Sequence, residues 1–411
     1  MRKNGINRKL TPIEGGICAV EGFRANAVYC GFGDFVFQEN GKEDLALIVA
    51  DRPCPTACVY STSAIKGAPI AVTKKHMRRG FGQAILINSG VANVFIEDGQ
   101  KLAELACREI GKYINVDAQD VVIASTGRTD GTISLKQFAD NMPNLIEGLS
   151  ADKEHSLLAA RAITTTDKTV KEFSYSFDLG AFSCKIGGIL KGSSHVSPNM
   201  ATTLLFLTTN VNISPEMLQK ALLSEVRETL NLLDIDGQAS PNDMVCIMAN
   251  GKGGNYRISC MDTEYKKFTY ILREVLTQVC KMLIEKETES GKIVSCHVRG
   301  GKSKQVSRAV ARSVVGCIGL KKGLANGRLD LESVICAISN AEVEVDLSQA
   351  EITFSSEKER TVVFESGMPL SFSKEMAKRI VQEMEREIEI DLRMGNYSST
   401  AFGSDLCEGK P

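Results

Sequence analysis

Tryptophan is absent from this 411-residue chain, which decides nothing about function, but its other scarcities are informative. Only four histidines are present, at positions 76, 155, 195 and 297, and none pairs with another at helical or ribbon spacing. That argues against a histidine-rich metal site, and no metal is expected. No apolar run approaches the ~20 residues of a membrane span. The charged N-terminus, Met1 to Ile6, has no apolar signal segment behind it, so export is not expected and a cytoplasmic location is. Neither sign of charge is in excess. A net charge of -1 gives no electrostatic case for a nucleic-acid or anionic-membrane partner. There is no dinucleotide fingerprint and no Walker loop; Gly251-Lys-Gly-Gly254 lacks the phosphate-loop spacing and reads as a turn.

The 13 cysteines are odd in number and scattered. Cys54 and Cys58 are the closest pair, and no second pair sits at zinc-ribbon spacing, so all are read as small core residues of a cytosolic chain. With 43% hydrophobic and 24% charged residues, a packed globular protein is expected. The length allows two or three domains, or one large two-lobed unit.

Short apolar runs at Leu45–Ala50, Ala84–Ile87, Val121–Ala124, Ile186–Leu190, Leu204–Leu207, Val245–Met248 and Thr361–Phe364 read as strands. Leu102, Leu105, Cys107, Ile110 and Ile114 mark an amphipathic helix, and Phe268 to Leu283 a longer one with clean 3.6-residue spacing. Ser373 is placed to cap a third, with Met376, Ile380, Val381 and Met384 on its inner face. Ile388 to Met394 alternates strictly and reads as a half-exposed strand. Strands and helices are mixed without a regular βαβ rhythm.

The most informative stretch is Lys191 to Thr202, ending in Pro198-Asn-Met-Ala-Thr202 and followed at once by an apolar strand. This layout suits a chain cut between Ala201 and Thr202. The cut leaves Thr202 as a new N-terminus that carries both a nucleophile and its own base, since an α-amino group titrates near ~8. Taken locally, the same residues also suit a plain strand start.

Several segments together resemble the ornithine acetyltransferase family, the glutamate N-acetyltransferases of the arginine pathway. They are Gly22-Phe-Arg-Ala25, Asp44 to Val49, Asn88-Ser-Gly90 with Ala92-Asn93, Ser125-Thr-Gly127, Thr164-Thr-Thr-Asp167, Lys191-Gly192, Pro198 to Thr202, Asp236-Gly237, Asn242-Asp243 and Ala249-Asn-Gly251. Each is weak alone; their order and spacing are specific. The resemblance implies a two-lobed α/β fold of layered sheets and helices, self-cleaving, with an N-terminal nucleophile. Fragments 1–201 and 202–411 would stay associated, as a heterotetramer. It implies transfer of an acetyl group from N-acetylornithine to Thr202, then to glutamate, with Thr126 and Gly127 as oxyanion donors. Thr165, Thr166, Lys191 and Glu289 would bind substrate. No cofactor is implied, although acetyl-coenzyme A is an acetyl donor if the enzyme is bifunctional.

The sequence departs from the family pattern at Ser194-His195, at Glu287-Thr-Glu-Ser-Gly291, and at Phe402-Gly-Ser-Asp-Leu406, after which the chain stops at Pro411. Those departures carry the expectation of looser acceptor selection with competing hydrolysis. They also keep open a diverged paralogue acting on another N-acyl amino acid, as acyltransferase or amidohydrolase, or an inactive one.

Overall fold

A computed structural model describes residues 10–34, 41–192, 203–235 and 240–405. Chain contacts divide it into two compact units, Met1–Gly192 with Met200–Glu225 and Ser240–Val275, and Ser193–Asn199 with Val226–Ala239 and Leu276–Pro411. This division does not follow the Ala201/Thr202 junction, which the sequence offers as the natural boundary. Strands from both sides of the junction share one sheet.

In chain order the first strands are β1 (Thr11–Pro12), β2 (Phe23–Val28), β3 (Leu45–Tyr60), β4 (Phe81–Asn88), β5 (Val121–Ser125), β6 (Lys171–Leu179), β7 (Phe182–Lys191) and β8 (Leu204–Thr209). After them come β9 (Leu233–Asp234), β10 (Met244–Ala249), β11 (Ile293–Gly301), β12 (Glu351–Ser355), β13 (Arg360–Glu365), β14 (Met368–Pro369), β15 (Glu385–Asp391) and β16 (Tyr397–Ser404). All seven apolar runs lie inside strands.

The first unit holds the order β1-β6-β7-β8-β10-β3-β4-β5, with β2 also on β3. Strand β3 makes the arrangement layered. Its first half pairs with β2 and β4, its register to β4 slips between Val49 and Cys54, and Thr56 to Tyr60 pair with β10. Alternate residues of its first half serve two cores. Ala46, Ile48 and Ala50 pack with Ile85 and Ile87 of β4, Phe206 of β8 and Cys246 of β10. Leu45, Leu47 and Val49 pack with Leu86, Ile123 and the helices Gly99–Ile114 and Leu135–Glu147. Both faces are covered, so the strand reads as a continuous apolar run rather than an alternating one.

In the second unit the order is β14-β13-β12-β15-β11-β16-β9. Val294, Cys296, Phe354, Ile388 and Ile390 form one core with Val310 and Val314 of the helix Lys304–Val315. The expected alternating strand is β15, which starts three residues before Ile388 and ends at Asp391, with Arg386, Ile388 and Ile390 buried. Ser373 does cap the helix Lys374–Gln382, accepting from the Met376 amide. Met384 lies beyond that helix and is exposed, because the chain has already turned into β15.

The twelve described cysteines are all free. Eight are buried as read, whereas Cys260 and Cys336 are exposed and Cys18 and Cys317 half-buried. No described helix is long and apolar enough to cross a membrane.

Candidate active site

Parallel strands β4 and β5 end side by side at Asn88 and Ser125, and their two exits build a buried polar turn. Ser125 Oγ donates to Asn88 Oδ1 at 2.5 Å, and Asn88 Nδ2 donates to Val91 O at 2.8 Å. Gly127 has φ of 129°, in the region that disfavours side chains, and it backs onto the Gly90 backbone. The Thr126 amide donates to Asn88 O at 3.0 Å and the Arg128 amide to Gly90 O at 3.0 Å. Between those two committed amides, the Thr126 hydroxyl and the Gly127 N–H have no partner among the described residues. Thr126 can offer its N–H or its hydroxyl; the N–H is taken by Asn88 O and the hydroxyl remains.

A second cluster centres on Asp167, whose carboxylate is fully buried. It accepts from Lys171 Nζ at 2.9 Å, the Thr165 amide at 2.9 Å and the Gly192 amide at 2.8 Å. Lys191 Nζ lies 3.8 Å from Oδ2, the oxygen that also accepts from Thr165. Burial alone would raise its pKa, but the Lys191 and Lys171 charges outweigh that and hold it below the usual carboxylate range. Lys191 is therefore a buried cation, 3% exposed, rather than a surface lysine. Thr165 is half-buried and Thr166 exposed, and neither hydroxyl has a partner among the described residues. Ser89 joins the two clusters: its Oγ donates to Ala162 O at 2.6 Å, at the end of the helix Lys153–Ala162 that leads to Thr164. Lys42 Nζ donates to Thr164 O at 2.9 Å, and burial lowers its pKa to about 8, partly offset by Asp44 and Asp167.

Ala201 and Thr202 lie outside the described residues, as do His195 and Asp236-Gly237. Thr203, the next residue, is buried and clamped. Its amide donates to Asp243 Oδ1 at 2.6 Å, and its carbonyl accepts from the Met244 amide at 3.0 Å. Burial pushes the Asp243 carboxyl well above its ordinary range, only partly countered by the Thr203 and Ser240 amides and by Lys191. The neighbouring Asn242 donates through Nδ2 to Ala92 O at 2.6 Å, and the Ala92 amide donates to Arg128 O at 2.8 Å. Hydrogen bonds on either side of the Asn242-Asp243 dipeptide thus connect Thr203 to Arg128, the residue directly after the Thr126–Gly127 turn, within the first unit.

Glu289 belongs to the second unit and is exposed just beyond the helix Thr263–Glu287. Asp167 and Asp243 sit inside the Thr164-Thr-Thr-Asp167 and Asn242-Asp243 motifs, yet reading the motifs assigned them no role. For Asp243 the sequence carries a signal, an acid set directly before the apolar run Met244 to Met248. Among the described residues no group of three or more histidine, cysteine or acidic side chains is placed to hold a metal.

A family model described as the ArgJ family matches residues 24–409. The chain belongs to the ArgJ family. Its similar relatives include the arginine biosynthesis bifunctional protein ArgJ 1 of Clostridium acetobutylicum, 31% identical over 89% of this chain and 90% of the relative. The arginine biosynthesis bifunctional protein ArgJ of Staphylococcus epidermidis is 30% identical over 96% of each chain. A glutamate N-acetyltransferase of Methanocaldococcus jannaschii is 27% identical, again over 96% of each. Among solved structures, an arginine biosynthesis bifunctional protein from Bacillus halodurans matches 49% of this chain and 94% of its own, at 27% identity and a TM-score of 0.46. ArgJ membership accounts for the order of the short segments, which none of them could establish singly.

Proposed function

We propose that this ArgJ-family chain is a self-cleaving acyltransferase of the glutamate N-acetyltransferase type. It moves an acetyl group from N-acetylornithine to glutamate through an ester on Thr202, in arginine biosynthesis. The observation that carries this reading is the pair of uncommitted donors, Thr126 Oγ1 and Gly127 N–H, in a turn whose next residue, Arg128, is connected through Ala92 and the Asn242-Asp243 dipeptide to the residue that follows Thr202.

After cleavage between Ala201 and Thr202, the Thr202 α-amine takes the hydroxyl proton as Oγ attacks the acetyl carbonyl. The carbonyl oxygen gathers negative charge against Thr126 and Gly127, and loss of one such donor typically costs ~10²–10³ in rate. The proton passes to the departing ornithine nitrogen and the acetyl group stays on Thr202 as an ester. The glutamate amine then attacks that ester and regenerates the hydroxyl. Lys191, oriented by Asp167, serves as the cation for a substrate carboxylate; Thr165 and Thr166 offer hydroxyls, and Glu289 recognises the substrate amine. Fragments 1–201 and 202–411 stay together because β8 pairs along its length with β7 and β10, and β10 with β3. We further propose a cytoplasmic heterotetramer of two such pairs. Acetyl-coenzyme A is the second candidate donor, in keeping with the bifunctional names of two relatives. No other cofactor is proposed.

Intact mass of the purified protein tests the reading. Two fragments are expected, with the second beginning at Thr202, while Thr202→Ala stays a single chain of 44.6 kDa. Brief exposure to N-acetylornithine should add one acetyl mass to the 202–411 fragment. Uncleaved wild-type protein, or a different N-terminus, would overturn the assignment. Free acetate in place of N-acetylglutamate would redirect it to an amidohydrolase.

A further inference from the structure

The dipeptide Asn242-Asp243 touches both halves of the site with adjacent side chains. Asn242 Nδ2 holds Ala92 O at 2.6 Å, and Ala92 belongs to the loop whose amide grips Arg128 O, directly after the Thr126–Gly127 turn. Asp243 Oδ1 holds the Thr203 amide at 2.6 Å. The dipeptide is itself anchored: the Ser61 amide donates to Asp243 O at 2.9 Å, and β10 follows at Met244. Both side chains are nearly inaccessible, at 5% and 1% exposure. Gly67 leaves room for this packing, since any Cβ there would collide with the Asn242 side chain.

Two features separate this from ordinary strand-end capping. Asp243 holds two backbone amides at once, Thr203 through Oδ1 and Ser240 through Oδ2 at 3.3 Å, and it does so as a buried carboxyl, which ordinarily costs several kcal/mol for an ion unless its charge is suppressed or paired. Burial does suppress it, holding the carboxyl toward its neutral form. The second feature is covalent. Consecutive Cα atoms of a trans peptide are about 3.8 Å apart, so whatever fixes the Thr203 amide bounds the position of residue 202.

We propose that Asn242 and Asp243 are positioning residues that act as one clamp, setting the nucleophile's distance from the oxyanion donors. The proposal rests on Thr202 being the nucleophile. A misplacement of about 1 Å can cost ~10²-fold in rate, while substrate contacts made elsewhere would be untouched.

The test uses the full chain and follows both the rate of scission at Ala201/Thr202 and steady-state transfer by processed protein. Asn242→Ala and Asp243→Ala should each lower kcat about 10²-fold, with KM for N-acetylornithine changed by less than about twofold. Asp243→Asn retains an acceptor for the Thr203 amide and mimics the neutral carboxyl, so it should recover to within about fivefold of wild type. The double variant should be no worse than the poorer single one, because residues that act as one unit are not additive. A double variant showing the product of the single losses would overturn the clamp. So would single variants with wild-type kcat, or an Asp243→Asn protein as impaired as Asp243→Ala while its melting temperature matches wild type. Wild-type protein that is neither cut nor acylated at Thr202 would instead sink the underlying reading, which separates the two failures.

Discussion

Replacing Gly127 by alanine is the sharpest perturbation of the proposed oxyanion turn, and the structure sets its size. At φ of 129° a side chain is strained whatever the space, at a cost of about 1–3 kcal/mol. The added Cβ would lie 2.6 Å from Val91 N and closer still to the Gly90 carbonyl. All of these are backbone atoms, so no flexible side chain can yield. Restoring ordinary contact with Val91 N alone, from 2.6 to at least 3.4 Å, needs a retreat of about 0.8 Å, and the nearer Gly90 carbonyl requires more. That displacement falls on the peptide carrying one donor and beside the hydroxyl carrying the other. Misplacement near 1 Å costs ~10²-fold, and full loss of a donor ~10²–10³-fold. Gly127→Ala should therefore lower kcat by about 10²–10³ in processed protein, with KM nearly unchanged, because the donors act on charge developed in the transition state. Steady-state transfer from N-acetylornithine to glutamate reads both constants. A kcat within about threefold of wild type, or a raised KM at constant kcat, would refute the role given to this turn.

Three further outcomes follow from the same geometry. Thr126→Ala should lose about 10²-fold in kcat whereas Thr126→Ser stays within about tenfold, since the backbone amide is already committed to Asn88 O and only the hydroxyl is left to donate; equal loss in both would point to packing of the methyl group instead. Lys191→Ala should raise KM about tenfold or more with kcat largely kept, as Lys171 still neutralises Asp167; a selective fall in kcat would remove Lys191 from substrate binding. Lys42 should lose its proton near pH 8 rather than at its ordinary value of 10.5, so amine-directed labelling at pH 8 should modify it ahead of fully exposed lysines. The unfolded chain keeps that proton longer, so this group's contribution to stability rises with pH between 8 and 10.5; Lys42→Met should flatten the thermal stability profile across that window, and an unchanged profile would count against the shifted amine.

Local pattern and long-range geometry part company at identifiable residues. Leu204 to Leu207 and Val245 to Met248 announce strands because every residue there is buried. The run Leu45–Ala50 does too, yet the observed strand runs on through Pro53 and Pro55, which lack the N–H that a central ladder uses. The strand persists to Tyr60 because it changes partners there, from β4 to β10. Nothing local encodes that exchange. The site divides the same way. Ser125-Thr-Gly127 and the Asn88 turn are legible as segments, and a glycine there has a backbone reason that a single sequence only hints at. Asp167 is silent in isolation, because Lys191 and Gly192 become its partners only when β6 and β7 pair.

The cleavage proposed at Ala201/Thr202 would illustrate why such a site need not be a domain boundary. The sequence offers it as the one natural division, yet the compact units divide elsewhere. Strand β8, immediately after the junction, is held on one side by β7 and on the other by β10. A cut at that point would release one peptide bond without releasing a strand, and the ladder would keep the new terminus in register. An N-terminal nucleophile needs that combination, because its amine has to be free while its hydroxyl stays fixed against the oxyanion donors. The Asp243 and Met244 bonds to Thr203 set such a limit one residue away from the cut. On the proposed mechanism the sheet would serve catalysis directly: the contacts that order β8 are also those that would hold the nucleophile in place.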